Sequence, residues 1–365
     1  MSSSYNRIYM TKKAGVSDSI KALPQNMFSG FVVSLIALPL GLGLAIASEA
    51  PPLAEIIAAV VGGIVVSLFG GSHVTIAGPG NGLVIVLLAS ITTLGEGNLF
   101  EGYLFTLAAI ILSGVLLFLF GVLRLGNLSE FFPATALQGM LAAIGIGILA
   151  KQFHVMLGIR SVKGSTLDLL QAIPDSIFNF VAFHPFSGIL GFLSLVFLFL
   201  YSRIRNPYFH LIPAPMWVVV GSIGIGYYYN LVLNQQTPID PNLLIKIPDE
   251  LFSNLPRPNF SKWNDSSFWG VVFSITIIAN IESLLSIKAV DKLDPKKRRS
   301  NVNKDLRALG LASVVSGFLG GLNVVTVIAR SSVNVNNGGN NRSSNFFHAA
   351  FLILFVVFLG DQIQR

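Results

Sequence analysis

The sequence predicts an all-α membrane protein that crosses the bilayer many times and is built from two related halves. Hydrophobic residues make up 53% of its 365 residues and charged residues only 11%, whereas a soluble domain carries about 25% charged residues. Mean hydropathy is +0.70, and several apolar runs reach the roughly 20 residues that a spanning helix needs. Cysteine is absent from the sequence, which excludes disulfides and thiolate metal sites.

The first half of the chain divides into a polar tail, residues 1–26, and a predicted first repeat over 27–232. Its first span contains Pro39, which removes a backbone donor and can bend a helix. The predicted elements are spans at 27–48 and 53–70, a short third helix at 80–90, a span at 102–122, an interfacial helix at 130–137, a span at 138–155, an outer surface segment at 160–182, and spans at 184–202 and 211–232.

The second half begins after a polar, proline-bearing segment, 233–267, which we interpret as an external loop. Residues 268–365 are predicted to form a second repeat, with full spans at 268–290, 305–320 and 346–360. The densest basic cluster of the chain follows the eighth span, and basic loops favour the cytoplasmic side. This rule therefore places the N-terminus in the cytoplasm, and it makes nucleic-acid binding by the cluster an unfavoured alternative.

Two interrupted segments, at 65–82 and 314–332, are the most informative feature of the sequence. Each leaves an apolar helix through Gly-Gly, passes a short Val/Thr/Ile stretch, and then meets residues that can start a new helix. Non-helical backbone at membrane depth is tolerated only inside protein or beside a water-filled cavity. Such breaks in corresponding positions of two halves are typical of a transporter's binding site. The predicted orientation of the two breaks is opposite, as an inverted repeat requires.

A helix that starts afresh after a break has unpaired amide donors and the positive end of its dipole at its first turn. Two such ends facing each other would bind a small anion. The expected donors lie near Gly78, Gly80 and Asn81 in the first break and near Ala329, Arg330 and Ser331 in the second. The alternative is that Gly-Pro-Gly is a simple turn between two helices.

Ionisable residues at membrane depth are the other candidates, because they are costly there and usually functional. Arg330 is interpreted as an anion contact or a positive field, with snorkelling or an ion pair to Glu282 as alternatives. Glu282 and Ser286 share a face of the eighth span and are candidates for holding Na⁺ or a proton. Glu282 has a second interpretation as the structural partner of Arg330. His73 is either a hydrogen-bonded loop residue or a proton relay.

Several motifs occur in the order found in a known family. They are the runs 37–45 (ALPLGLGLA) in the first span, 51–52 (PP) after it, 78–79 (GP) in the third, 281–285 (IESLL) in the eighth and 329–334 (ARSSVN) in the tenth. The chain resembles the SulP inorganic-anion transporters over about residues 25–365, and most closely a bacterial branch with a basic run like that at 292–299.

The resemblance implies a seven-plus-seven inverted repeat in which a core domain moves against a gate domain. The anion would sit between the third and tenth helices, lined by Leu40 and Leu44 as well as by the two breaks, and Glu282 with Ser286 would match the cation place of Na⁺-coupled relatives. Leu40 departs from the Gln that many relatives carry, and Gly80-Asn81 replaces their Thr-Ala. Three gate helices and the C-terminal regulatory (STAS) domain are expected to be missing, which leaves the second repeat incomplete.

The leading hypothesis is secondary active transport of sulfate or bicarbonate across the cytoplasmic (inner) membrane, with Na⁺ or H⁺ symport through Glu282 as an open question. An anion channel or exchanger and a nucleobase-type carrier of the same architecture are the alternatives. No nucleophile–base pair, phosphate-binding loop or metal-ligand spacing is evident, so an enzyme is not expected. No cofactor or metal is expected besides a co-transported cation, and a homodimer is left open.

Overall fold

The computed structural model describes residues 21–126, 134–159, 164–183, 185–201, 203–204, 213–233, 239 and 255–363. The predicted polar tail and the external loop lie largely outside the described residues. Of the predicted interfacial helix, 130–137, only residues 134–137 are described, and they form the start of the helix Ala134–Met156 that contains the following span. Among the described residues, four helices are long and apolar enough to cross a membrane by length and composition.

The first half has five elements. They are α1 (Leu23–Ala47), α2 (Pro52–Phe69), β1 (Ala77–Pro79), α3 (Val84–Gly95) and α4 (Leu99–Val122). A short 3-10 turn, Asn81–Leu83, joins β1 to α3. Helix α1 continues through Pro39, and α4 starts where the Asn98 side chain accepts hydrogen bonds from two first-turn amides. The third helix is longer than predicted because the apolar pattern continues to Gly95.

The middle of the chain has five helices. They are α5 (Ala134–Met156), α6 (Thr166–Gln171), α7 (Ile173–Phe183), α8 (Pro185–Tyr201) and α9 (Ala214–Tyr227). Helix α6 begins with a reciprocal capping box between Ser165 and Asp168. The hydroxyl and the amide of Ser165 both donate hydrogen bonds to Asp168 and lower its pKa, and the hydroxyl has the larger effect.

The second half repeats the pattern of the first. Its elements are α10 (Ser266–Leu293), α11 (Val302–Phe318), β2 (Val324–Thr326), α12 (Ile328–Asn336) and α13 (Ser343–Ile363). Asp265 caps α10 and Asn301 caps α11, each through a side-chain oxygen that accepts a first-turn amide. The three predicted full spans of this half correspond to α10, α11 and α13, with ends shifted by a few residues.

The packing of the helices shows the internal repeat directly. Exchanging α1, α2, α3 and α4 for α10, α11, α12 and α13 maps most of the main helix contacts onto another contact, although the contact between α3 and α4 has no such counterpart. The contact of α4 with α11 corresponds to that of α13 with α2. The contact of α4 with α10 corresponds to that of α13 with α1. The contact of α3 with α10 corresponds to that of α12 with α1. Because β1 and β2 pair antiparallel, the two halves have opposite orientation. This is the inverted-repeat fold that the sequence predicts.

Glycine allows the closest of these helix contacts. A Cβ on Gly310 of α11 would lie 2.5 Å from the backbone nitrogen of Phe118 on α4. In the corresponding pair of the other half, a Cβ on Gly63 of α2 would lie 2.6 Å from the Cβ of Ala349 on α13. Small residues at helix interfaces let backbones approach closely in membrane proteins. The two breaks are therefore held between tightly packed helix pairs.

Candidate functional site

The two breaks meet as a short antiparallel pair of strands. Gly78 lies opposite Val325, flanked by the pairs Ala77–Thr326 and Pro79–Val324. The amide of Val327 also donates to the carbonyl of Ile76 at 3.0 Å. Each strand thus provides hydrogen-bond partners for backbone groups of the other. This pairing reduces the free-energy cost of non-helical backbone inside an apolar core.

Each strand leads into a helix whose first turn has free amide donors. Gly80 is the N-cap before the 3-10 turn, and Asn81 is exposed. Val327 is the N-cap of α12, and Ala329 in its first turn is also exposed. Among the described residues, no hydrogen-bond acceptor receives the amides of Asn81, Ile328, Ala329 or Arg330. Both helix starts therefore present donors and a positive dipole end beside the strand pair.

The predicted pocket leucines of α1 have different surroundings. Leu40 is 37% exposed, whereas Leu44 is buried. Leu44 belongs to a small apolar cluster with Ala47 of α1 and Val84, the first residue of α3. Helix α1 therefore lies beside the start of α3, and Leu40 is one turn away from that contact on the same helix.

Gly78 and Gly80 are buried, and both are needed because side chains from elsewhere fill the space beside them. A Cβ on Gly78 would lie 2.6 Å from Nη1 of Arg330 and 3.4 Å from the Cα of Ala59. A Cβ on Gly80 would lie 2.6 Å from Oε2 of Glu282. The two charged residues singled out from the sequence therefore contact the first break at adjacent points of its backbone.

Glu282 caps the helix after the first break. Its Oε1 accepts a hydrogen bond from the Gly82 amide at 3.2 Å, and its Oε2 is buried without a partner. A carboxylate at a helix start is stabilised by the dipole. Ser286 is buried one turn further along α10, and no hydrogen bond joins these two described side chains. The site thus has a free carboxylate oxygen but no assembled set of cation ligands.

Arg330 is buried, being 1% exposed, so the alternative in which it snorkels to the surface is wrong. Both terminal nitrogens, Nη1 and Nη2, have no hydrogen-bond partner. In the described part of the chain no carboxylate forms an ion pair with it within 4.0 Å, so the alternative of an ion pair with Glu282 is wrong as well. The guanidinium is therefore a buried positive charge beside Gly78 that has no direct ion-pair partner among the described residues.

Ser331 connects the two breaks and does not present its hydroxyl to a ligand. Its Oγ donates to the Val327 carbonyl at 2.6 Å and accepts from the Ile76 amide at 2.9 Å. Both hydrogen bonds are inside the protein. The sequence predicts an available amide donor near Ser331, whereas the amide of Ser331 donates to the Val327 carbonyl at 3.1 Å.

Three buried polar residues beside Arg330 are missed by the sequence analysis. They are Glu55 on α2 and Asn345 and His348 on α13. The signal for Glu55 is present in the sequence, since it is a carboxylate within an otherwise apolar span. His73, by contrast, is half-buried among Arg298, Asp294 and Arg342. No group of metal-ligating side chains is found in the described ranges.

The model of the sulfate permease family matches residues 23–365. The chain belongs to the sulfate permease family. It is 28% identical over 341 residues to the bicarbonate transporter BicA of Synechocystis, covering 93% of this chain. Family membership confirms the resemblance seen in the sequence, and these relatives are described as transporters, not as enzymes.

Solved structures confirm the fold. The transmembrane domain of a cyanobacterial bicarbonate transporter BicA matches with a TM-score of 0.79 at 24% identity, covering 94% of this chain and 84% of that one. The murine anion transporter Slc26a9 in its inward-facing state matches with a TM-score of 0.78 at 16% identity, covering 98% and 63%. The chain spans 61% of the length of the putative sulfate transporter YvdB of Bacillus subtilis. It spans 57% of the length of the Synechocystis transporter.

Proposed function

We propose that the protein carries a small inorganic anion, sulfate or bicarbonate, across the cytoplasmic membrane by secondary active transport. The anion binds where the starts of α3 and α12 converge, near Asn81 and Ala329. The N-terminus faces the cytoplasm in this proposal. The N-terminal tail and the run after α10 are both basic, and basic segments favour the cytoplasmic side of the membrane.

One observation carries the proposal: the antiparallel pairing of β1 with β2 joins the two breaks, so that two helix starts with exposed first-turn residues flank one strand pair, and the Arg330 charge lies beside Gly78. Four amides without acceptors are available there. Oriented amides and a helix dipole favour a compact anion. A neutral organic substrate has no net charge for a buried guanidinium to attract. Arg330 therefore favours an inorganic anion over a nucleobase as the substrate.

Uptake into proteoliposomes tests this function. Vesicles containing the chain should accumulate labelled sulfate or labelled bicarbonate with saturable kinetics, and an imposed Na⁺ or pH gradient should change the rate. Flux that rises linearly with anion concentration and does not change when either gradient is imposed would instead indicate a channel. Acceleration by an anion trapped inside the vesicle would indicate an exchanger. Absence of both flux and binding for every inorganic anion tested would reject the proposal.

Glu282 is the proposed site of cation coupling, because its free Oε2 lies at the start of α3 beside Gly80. Glu282→Gln retains an oxygen for the Gly82 amide and removes the charge. We expect the variant to bind anion but to lose any stimulation by Na⁺, with uptake reduced about tenfold or more.

Glu101→Gln is the matched control, since Glu101 lies in the first turn of α4 and forms no ion pair among the described residues. It should transport like the unaltered chain. Full Na⁺ stimulation in Glu282→Gln would show that the cation binds elsewhere.

A further inference from the structure

A second group of polar side chains lies in the core behind the two breaks. It consists of Glu55 from α2, Arg330 from α12, and Asn345 and His348 from α13, each exposed by 1% or less. Both carboxylate oxygens of Glu55, both Nη atoms of Arg330, Nδ2 of Asn345 and both ring nitrogens of His348 lack hydrogen-bond partners. Buried polar groups are nearly always paired, so this concentration of unpaired atoms needs an explanation.

The geometry places Glu55 on the face of α2 that adjoins Arg330. Glu55 and Ala59 are one turn apart on the same face. The Cα of Ala59 and Nη1 of Arg330 both border the space beside Gly78, at 3.4 Å and 2.6 Å from a Cβ built there. Arg330 is also an opposite charge that acts on Glu55, although the two do not form an ion pair.

The charged groups around Glu55 can be named element by element. Arg330 acts on it from α12 and Glu282 from α10. His348 of α13 acts on Arg330. Helix α1 and both strands carry no ionisable residue, and the charges of α11 lie at its N-terminal end, where Asp305 contacts Gly71. The charge state of Glu55 therefore depends on burial, on one guanidinium and on one further carboxylate.

The two charge states of Glu55 have opposite effects on the anion site. An ionised carboxylate buried without a donor is very unfavourable, and it would also offset the positive charge of Arg330. Adding a proton from water gives a neutral carboxylic acid and leaves the guanidinium charge uncompensated. The field behind the starts of α3 and α12 is then more positive, which favours an anion.

We propose that Glu55 is a proton-binding site whose protonation is coupled to anion binding through Arg330. The proposal rests on the function proposed above and assigns the proton to Glu55 instead of Glu282. Linkage makes the coupling reciprocal: a bound anion favours the protonated acid, and the protonated acid favours the anion. Where Glu55 is ionised in the free chain, a binding anion therefore brings a proton onto it, and anion and proton can cross the membrane together.

Anion affinity measured against pH tests the proposal. Suitable probes are labelled sulfate and nitrate, a planar monovalent anion like bicarbonate, because neither changes charge between about pH 5 and about pH 8. Binding to the purified chain should tighten about tenfold on acidification. Glu55→Gln, which resembles the protonated acid, should bind tightly at every pH. His348→Gln and Glu282→Gln should retain the pH dependence.

Proton uptake by the unaltered chain gives a second readout that does not depend on a variant folding. Adding sulfate in weak buffer with an indicator dye, at an alkaline pH where Glu55 of the free chain is ionised, should remove up to about one proton per bound anion from solution, and Glu55→Gln should remove none. Anion binding without proton uptake, or pH dependence that persists in Glu55→Gln and is lost in Glu282→Gln or His348→Gln, would overturn this inference alone. Failure of the chain and every variant to bind either anion at any pH would reject the proposed function too.

Discussion

Arg330→Ala should weaken anion binding by about a hundredfold while the protein remains folded. A unit charge at about 6 Å in an effective dielectric of about 20 contributes about 3 kcal/mol, which corresponds to that factor. Arg330 has no ion-pair or hydrogen-bond partner for its terminal nitrogens, so its removal leaves no orphaned partner behind. Binding of labelled sulfate and nitrate and the thermal unfolding midpoint in detergent measure the two effects separately.

The matched variants separate a positive field from a directed contact. Arg330→Lys retains the charge and loses the planar fork of donors, so a field role predicts that most of the affinity survives. Arg299→Ala removes an equal charge from an exposed position after α10 and should leave binding unchanged. If Arg330→Ala binds anion as tightly as the unaltered chain, the guanidinium has no role at the site.

The architecture could be predicted from the sequence because its signals are long and periodic. Apolar runs located α1, α2, α4, α10 and α11, and the Gly-Gly interruptions located both breaks. The pairing of β1 with β2 could not be predicted, since three-residue strands have no periodicity to read and their partner lies more than 200 residues away. Opposite orientation of the breaks was predicted from loop charges, and the antiparallel register agrees with it.

The site was predicted less completely, for reasons that individual residues show. The helix starts at Asn81 and Ala329 were found because glycine and small residues mark a break. The amide of Ser331 was expected to be an available donor, but a sequence does not reveal that it already donates to the Val327 carbonyl. Glu55 was missed because its significance depends on Arg330, which approaches it only when α12 packs behind Gly78.

Asp305 fixes the entry to the first break and should therefore have the largest effect on stability. This buried residue of α11 accepts hydrogen bonds from the amides of Gly71 at 2.7 Å and Ser72 at 3.1 Å. Its other oxygen accepts from the Ser72 hydroxyl. Asp305→Ala would leave three donors without an acceptor, and each such buried donor costs about 1–3 kcal/mol. We expect a loss of about 3 kcal/mol or more, seen as a lower unfolding midpoint in detergent.

Two control variants test whether the loss of stability is specific to the Asp305 carboxylate. Asp305→Asn keeps one oxygen as an acceptor for the backbone amides and should lose about 1 kcal/mol, whereas Asp175→Ala, at an exposed position of α7, should lose nothing measurable. Arg330→Ala should show the reverse pattern to Asp305→Ala, with binding lost and stability kept. This follows because Asp305 supports the backbone of the break, while Arg330 supplies only charge behind it. An unchanged midpoint in Asp305→Ala would mean that the helices, and not this carboxylate, hold the break in place.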